Sequence, residues 1–326
     1  MSNDMMDRLD PELVGPVRMM IKMRGGGLNF DDIPAARAAG EQMMAAMKGQ
    51  LPVIEGVTAE DRNVPGPDNG PDVALRIYRP DNRTDHLPAI LWIHGGGYIL
   101  GNIENDDFSA RQMSLLAECI IVSVEYRLAP ENPYPAPLED CYAALKWLAK
   151  NADELGADPE RIAIGGGSAG GGLAAGLALM SRDLGEVDVM FQFLIYPMID
   201  DRNIIPASNT LPDTIFWTRE SNRIGWRAYL GCEPGGDDIS CYAAASRATD
   251  LTGLPPAYIA VGEIDLFAQE DIEYARRLIE AGVCTELHVY PGGCHGFDMM
   301  APDAAISRQF ADDFNRALMR VMRQKL

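Results

Sequence analysis

The sequence predicts an α/β protein with a central, mostly parallel sheet covered by helices on both faces. Short runs such as 89–94 and 120–126 are largely apolar, which is typical of strands that are buried on both sides. Amphipathic segments such as 138–149 and 269–281 separate such runs, and strands that alternate with helices usually form a parallel sheet. With 326 residues, 47% of them hydrophobic, the chain can form one large α/β domain with additions.

The elements follow in a clear order along the chain. Residues 1–50 are rich in methionine and helical in pattern, and they precede every strand, so we predict a cap segment that lies across the main domain. The alternation breaks again over 198–230, which predicts a cap insertion between the two parts of the main domain, 51–197 and 231–326. Strand patterns lie at 73–79, 89–94, 120–126, 161–164, 189–195, 257–261 and 286–290, and helical patterns at 138–149, 169–180, 217–230, 269–281 and 304–321.

Composition and charge narrow the function classes. A formal net charge of −20 argues against nucleic acid or an anionic membrane as the main partner. No apolar run approaches the roughly 18 to 20 residues of a membrane-spanning helix. The polar, acidic start of the chain lacks a secretory signal, so we expect a cytoplasmic protein. The six cysteines show neither C-x-x-C pairing nor the spacing of zinc ligands.

A glycine-rich turn with a serine at its centre follows the strand at 161–164. Residues 166–170 read Gly-Gly-Ser-Ala-Gly, a G-x-S-x-G pattern, and a helix of small residues comes next. This pattern is typical of a sharp strand-to-helix turn that lifts a nucleophilic Ser168 above the sheet. The stretch from Gly165 to Gly170 also fits G-x-G-x-x-G, so a dinucleotide-binding loop or a turn without chemistry stays open at this point.

A nucleophilic serine needs a base, and the chain has four histidines. His295 is the best placed, because it lies in a loop after the last strand and can reach over the edge of the sheet. The carboxylate that orients this base should follow a strand between the serine and the histidine. Spacing ranks Asp265 first, Glu263 second and Asp200 third.

A second glycine-rich loop, His94-Gly-Gly-Gly-Tyr98, follows the buried strand at 89–94. Consecutive glycines let backbone N–H groups point into a cavity without shielding by Cβ atoms, as an oxyanion hole requires. Such a loop ahead of G-x-S-x-G favours the serine nucleophile. It weakens the dinucleotide interpretation, because that fingerprint usually opens the first βαβ unit.

Together these motifs resemble the hormone-sensitive-lipase-like group of α/β-hydrolases, the bacterial carboxylesterases that carry H-G-G-G. The resemblance implies an α/β-hydrolase fold with a helical cap, with Ser168 as nucleophile, His295 as general base and Asp265 as its partner. It runs from about residue 73 to 320, and the matching stretches are 94–98, 126–131, 158–161, 166–171, Asp265 and 295–297.

The resemblance also implies further roles. The N–H groups of Gly95, Gly96 and Ala169 would form the oxyanion hole, whereas Arg127 and Glu131 would be structural.

Two positions depart from the family pattern. Gly167 stands where Asp or Thr is common before the serine. The acid motif reads Asp265-Leu266-Phe267 instead of Asp-Pro-Leu, and Gln269 replaces its usual second Asp. The acid itself is kept, but its loop is expected to differ in shape.

The sequence therefore predicts a serine carboxylesterase that acts on small-molecule esters with short or medium acyl chains, through an acyl-enzyme and without a metal or organic cofactor. A binding protein or receptor on the same fold and a hydrolase of amides or lactones are the alternatives. The sequence leaves a homodimer open. Apolar positions predicted to line the substrate pocket are Met19, Met20, Met23, Tyr98, Phe216, Trp217 and Phe297.

Overall fold

The structure is a computed structural model. It describes residues 3–23, 30, 32–48, 52–68, 70–81, 83, 86–203 and 217–323. The strands are β1 (Val57–Val64), β2 (Val73–Pro80), β3 (Leu87–Ile93), β4 (Ile120–Glu125), β5 (Ala157–Gly167), β6 (Phe191–Ile195), β7 (Ala257–Gly262) and β8 (Thr285–Tyr290). The helices are α1 (Asn3–Arg8), α2 (Pro11–Met23), α3 (Ile33–Lys48), α4 (Asp107–Ala117), α5 (Ala136–Lys150), α6 (Ala152–Leu155), α7 (Ala169–Leu184), α8 (Arg219–Leu230), α9 (Ala268–Glu280), α10 (Phe297–Met300) and α11 (Ala305–Arg323).

The strands form one eight-stranded sheet in the order β1-β2-β4-β3-β5-β6-β7-β8. Strand β2 is antiparallel to both β1 and β4, and every pair from β4 to β8 is parallel. The predicted fold class, a mostly parallel sheet flanked by helices, is confirmed. In such sheets the loops that follow parallel strands meet at one edge, where ligands usually bind.

Each face of the sheet is covered by its own hydrophobic cluster. Helices α5, α7 and α9 contribute side chains such as Leu145, Leu177 and Leu278 to one cluster. Helices α4 and α11 contribute Met113 and Leu318 to the other. Strands β3, β6 and β7 are buried at every position, as their largely apolar sequences require.

Strand β1 and helix α4 were not predicted from the sequence. Strand β1 is mostly exposed and polar, with the sequence Val-Thr-Ala-Glu-Asp-Arg-Asn-Val, and it exists because β2 supplies a hydrogen-bonding edge. Helix α4 carries polar residues over much of its length and buries only a stripe that includes Ala110, Met113 and Ala117. Both elements depend on tertiary contacts more than on a strong local pattern.

Helix α3 is tied to the main domain by one arginine, Arg37. Arg37 donates from Nε to the carbonyl of Ile99 at 2.7 Å and from Nη2 to the carbonyl of Ala129 at 2.7 Å. Its guanidinium also pairs with both carboxylate oxygens of Glu131, at 2.9 and 2.8 Å. A planar guanidinium suits such a multiple contact, so α3 is fixed against the loop that follows β3.

The loop after β4 is held by a buried carboxylate of α5. The side chain of Asp140 is 1% exposed and accepts hydrogen bonds from the backbone N–H of Arg127 at 2.9 Å and from its Nη2 at 2.7 Å. Because both partners are largely withdrawn from water, removal of the carboxylate would leave a charged donor without its acceptor.

We therefore expect Asp140→Ala to lower the free energy of unfolding by about 3 kcal/mol, the lower end of the cost of breaking a buried ion pair. Urea denaturation followed by circular dichroism measures this change. The matched control is Asp153→Ala, because that carboxylate is 88% exposed and lies 3.9 Å from His86. It should leave the transition almost where it was. Equal losses in the two variants would contradict the prediction.

Candidate active site

The serine of the G-x-S-x-G pattern lies between β5 and α7. Ser168 has φ 55° and ψ −121°, a strained conformation for a residue with a side chain. Its N–H donates to the carbonyl of Ile195 at 2.8 Å, and its own carbonyl accepts from the N–H groups of Gly172 at 2.9 Å and Met198 at 3.0 Å. These bonds anchor both ends of the turn, so the hydroxyl is presented at the carboxyl edge of the sheet.

Neighbouring backbone requires glycine at the first and last positions of the G-x-S-x-G pattern, Gly166 and Gly170. A Cβ atom at Gly166 would lie 2.4 Å from the carbonyl oxygen of Ile93, and one at Gly170 would lie 2.0 Å from the same atom. Such distances cannot be relieved by moving a side chain. The two outer glycines of the G-x-S-x-G pattern are thus required by the contact of the turn with β3.

Three side chains from distant parts of the chain meet at the turn. Nε2 of His295 lies 3.0 Å from Oγ of Ser168, and its Nδ1 lies 2.8 Å from Oδ2 of Asp265. Asp265 follows β7 and His295 follows β8, so the parallel sheet places both at the same edge. Asp265 is 0% exposed, His295 4% and Ser168 9%, and this burial strengthens each hydrogen bond.

The two lower-ranked acids lie elsewhere. Glu263 pairs with Arg8 at 2.6 Å and accepts a hydrogen bond from the N–H of Gly292 at 3.2 Å. Asp200 pairs with Arg202 at 2.7 Å. Of the three carboxylates ranked from the sequence, it is Asp265 that the structure brings to His295.

The second glycine loop packs directly against the serine. A Cβ atom at Gly95 would lie 2.9 Å from the carbonyl oxygen of Gly167 and 3.5 Å from Cβ of Ser168. Gly96 has φ 125°, and its carbonyl accepts from the N–H of Leu100 at 2.9 Å. Among the described residues, the N–H groups of Gly95 and Gly96 donate to no backbone carbonyl. Ala169 begins α7, where a helix leaves its first N–H groups without intrahelical acceptors.

The first residue of that loop is a buried, neutral imidazole. His94 is 2% exposed, stacks on Tyr126 with ring centroids 4.2 Å apart, and has Nδ1 2.9 Å from the carbonyl oxygen of Gly95. Burial lowers the pKa of His94 to about 4, because the surrounding protein disfavours the charged form. The imidazole is therefore a structural support of the loop at neutral pH.

A chain of hydrogen bonds links the helix after the 198–203 loop to the acid loop, and sequence reasoning did not find it. Nε1 of Trp217 donates to Asn222 at 3.1 Å, and Nδ2 of Asn222 donates to the carbonyl of Asn203 at 2.8 Å. Nδ2 of Asn203 then donates to the carbonyl of Leu266 at 2.9 Å and to Glu270 at 2.6 Å. No local sequence signal marks these partners, because they come from separate segments.

The carboxylate of Glu270 holds the loop that follows β6. It accepts hydrogen bonds from the N–H groups of Ile199 at 2.9 Å and Asp200 at 3.1 Å. From the sequence, Glu270 has an ordinary explanation as an acidic residue in the first turn of a helix. In the structure it is 8% exposed, and it fixes the position of the acid loop against the 198–203 loop.

The predicted pocket residues fall into different environments. Met19 is 65% exposed, whereas Tyr98, Trp217 and Phe297 are buried and Met20 is half-buried. The ring of Trp217 lies over the glycine loop, since a Cβ atom at Gly97 would be 2.1 Å from it. Phe216 and the side chain of Met23 lie outside the described residues. The role of all seven residues as walls of the substrate pocket stays a prediction.

A buried thiol, Cys294, directly precedes His295. Burial raises the pKa of the Cys294 thiol to about 12, so it is protonated at neutral pH. Within the described ranges, no group of three or more His, Cys, Asp and Glu side chains is arranged to hold a metal ion. No helix in those ranges is both long and apolar enough to cross a membrane.

Comparisons with known proteins show which family and which enzymes the chain is similar to. A family model described as alpha/beta hydrolase fold matches residues 90–299. The carboxylesterase NlhH of Mycobacterium tuberculosis is 38% identical over 283 residues, which cover 84% of this chain and 86% of that protein. The chain is thus similar to this enzyme over most of the length of both.

Solved structures give the same picture. A bacterial heroin esterase has a TM-score of 0.92 and 43% sequence identity, covering 98% of this chain and 99% of its own. The esterase LipW from Mycobacterium marinum has a TM-score of 0.86 and 36% sequence identity, covering 97% of this chain and 96% of its own. Both similarities extend beyond the sheet to almost every residue.

The buried His94 predicts a specific dependence of stability on pH. The pKa of His94 is about 4 in the folded protein and near 6.5 in the unfolded chain. The stability that comes from burying the neutral imidazole is therefore fully present above pH 6.5 and is lost as the pH falls towards 4. Relative to His94→Asn, the wild type should lose about 3 kcal/mol of unfolding free energy between pH 7 and pH 4. Urea denaturation at a series of pH values measures this difference.

The control for that experiment is His86→Asn, because the His86 side chain is 60% exposed. Its unfolding free energy should follow that of the wild type at every pH. A difference between wild type and His94→Asn that stays constant from pH 7 to pH 4 would refute the prediction.

Proposed function

The chain belongs to the alpha/beta-hydrolase-fold family, and we propose from this premise that it is a serine carboxylesterase acting on small-molecule esters through an acyl-enzyme. The observation that carries the proposal is the continuous hydrogen-bond chain from Ser168 through His295 to Asp265. The similarity to named carboxylesterases and esterases supports it.

In the first step, Oγ of Ser168 attacks the ester carbonyl carbon while Nε2 of His295, 3.0 Å away, takes the hydroxyl proton. The carboxylate of Asp265 accepts the Nδ1–H of the same ring at 2.8 Å, which fixes the tautomer and stabilises the imidazolium that forms. The imidazolium then protonates the leaving alkoxide, and an acyl-Ser168 ester remains.

The negative charge of the tetrahedral intermediate needs donors that are already in place. The N–H groups of Gly95 and Gly96 lie in the loop that packs on Ser168, and that of Ala169 starts α7. These donors would stabilise the oxyanion without reorganisation, and the positive end of the α7 dipole adds to their effect. In the second half of the reaction, His295 activates a water molecule that releases the acid from Ser168.

We further propose that the enzyme prefers short or medium acyl chains, because two cap segments cover the site. Phe30 and Trp217 pack with ring centroids 5.5 Å apart, so the segment before α3 contacts the segment before α8. We also propose the division into a cap (1–50 and 198–230) and a main domain (51–197 and 231–326), which this contact supports. A series of p-nitrophenyl esters of increasing acyl length tests the preference.

The alternatives are distinguishable by experiment. A receptor on this fold that lacks an activated serine would not react with a fluorophosphonate probe, whereas the proposed enzyme would. Amide and lactone substrates, compared with esters of the same acyl group, test the remaining hydrolase classes.

A homodimer is also proposed, since Ile272, Ile279 and Val289 expose apolar side chains beside the outer strand β8. The cytoplasmic location stays a prediction.

Ser168→Ala should lower kcat for p-nitrophenyl acetate by about 10⁶ while the fold is kept, because the nucleophile is lost and little else changes. The same variant should lose labelling by a fluorophosphonate. Ser109→Ala, on the exposed side of α4, is the matched control and should retain both properties. Near-normal hydrolysis by Ser168→Ala would exclude the proposed mechanism.

Gly96→Ala should lower kcat by about 10² to 10³, because the added Cβ lies 2.1 Å from the carbonyl oxygen of Leu100 and the oxyanion donors must move. Gly185→Ala makes a suitable comparison, since Gly185 also has positive φ but its Cβ would contact nothing within 4 Å. That control should lose some stability and keep its kcat. A Gly96→Ala enzyme with wild-type kcat would show that this loop does not hold the oxyanion.

A further inference from the structure

The glycines around the nucleophile are not equivalent. At eight of them a Cβ atom would lie 3.0 Å or less from another heavy atom: Gly95, Gly96, Gly97, Gly165, Gly166, Gly170, Gly171 and Gly172. At Gly167, apart from the adjoining residues 166 and 168, the one atom of the described residues within 4 Å of a Cβ is Cε2 of Tyr196, at 3.7 Å, which is ordinary van der Waals contact. Gly167 also lacks a positive φ. The backbone therefore does not require glycine at this position.

The space left at Gly167 adjoins the reacting atoms. Gly167 directly precedes Ser168, and its carbonyl oxygen faces the loop that contains Gly95. The ring of Tyr196 borders the space on one side and meets the ring of His295 edge to face, with centroids 4.8 Å apart.

The aromatic wall of this space is held in place. Tyr196 is 5% exposed, and its N–H donates to the carbonyl of Ala260 at 2.6 Å. Its ring stacks on Phe310 with centroids 6.5 Å apart. Apart from this wall and the adjoining residues 166 and 168, no heavy atom of the described residues lies within 4 Å of a Cβ at Gly167, so the space beside the wall is open to a group of the substrate.

We propose that Gly167 determines specificity by leaving room for bulk in the alcohol part of the ester, at the carbon attached to the ester oxygen. The inference rests on the proposed function. His295 protonates the leaving oxygen, so the alcohol lies on the side of its ring, and Tyr196 joins that ring to Gly167. The substrate class is therefore esters of secondary and tertiary alcohols.

The experiment fills the space and varies one half of the ester at a time. Gly167→Ala and Gly167→Val are compared with the wild type on ethyl, isopropyl and tert-butyl acetate by pH-stat titration. The p-nitrophenyl esters of acetic, isobutyric and pivalic acid vary the acyl half. Gly236→Ala is the matched control, since its Cβ would meet nothing within 4 Å and its φ is ordinary.

We expect Gly167→Val to lower kcat/KM for tert-butyl acetate about tenfold or more relative to ethyl acetate, since added methyl groups in a fitted pocket discriminate by that order. Gly167→Ala should act in the same direction with a smaller effect. The ratio of pivalate to acetate hydrolysis should stay within about twofold of wild type in both variants. Gly236→Ala should match wild type on all six esters.

Each other outcome has a definite meaning. Equal losses on all esters would overturn the proposal, because Gly167 would then serve the turn itself. A loss confined to the bulky acyl esters would overturn the assignment to the alcohol side. A wild type that hydrolyses ethyl acetate but neither branched acetate would show that the space takes no substrate. A wild type that hydrolyses no ester would instead refute the proposed function. Thermal unfolding of each variant checks that the fold is kept.

Discussion

Strand β5 passes into α7 without a connecting loop, and this turn can close only if Ser168 accepts a positive φ. A side chain in that conformation costs on the order of 1 to 3 kcal/mol, which surrounding contacts must offset. The hydrogen bonds to Ile195, Gly172 and Met198 provide part of that stabilisation, and each ties the turn to a neighbouring element. The close approach of Gly170 to β3 then fixes the distance between the turn and the glycine loop that follows β3.

The acid loop, whose sequence departs from the family pattern, is held by hydrogen bonds. The family pattern has proline after the acid, whereas this chain has Leu266, so the loop needs another restraint. Oδ1 of Asp265 accepts the N–H of Phe267 at 3.0 Å, and Asn203 donates to the carbonyl of Leu266. Through Asn222, this restraint continues to Trp217, which lies over Gly97. The acid loop and the glycine loop are therefore connected through one buried polar network.

These features explain what the sequence could predict. The buried parallel strands, the serine turn and the glycine loop are each formed by contiguous residues. Their patterns can therefore be recognised in the sequence without knowing which distant residues they contact. Strand β1 and helix α4 depend on packing by distant segments. The pairing of Arg37 with the carbonyls of Ile99 and Ala129 also joins remote positions and leaves no periodic signal.

The choice among acids shows the same limit. Spacing could rank Asp265 above Glu263 but could not exclude either, because both follow β7 within a few residues. The partner of Glu263 is Arg8, in a helix at the opposite end of the chain. Only the folded arrangement of that helix shows which carboxylate is already paired.

One buried acid beside the acid loop is kept uncharged. Burial, together with the charge of Glu270 and Asp265, raises the pKa of Asp271 well above its usual range, and burial does the same for Glu270. Asp271 is fully buried, and neither of its carboxylate oxygens has a hydrogen-bond partner among the described residues. Because an unpaired buried carboxyl is far less costly when protonated, Asp271 is held in its neutral form and adds no second negative charge beside Asp265.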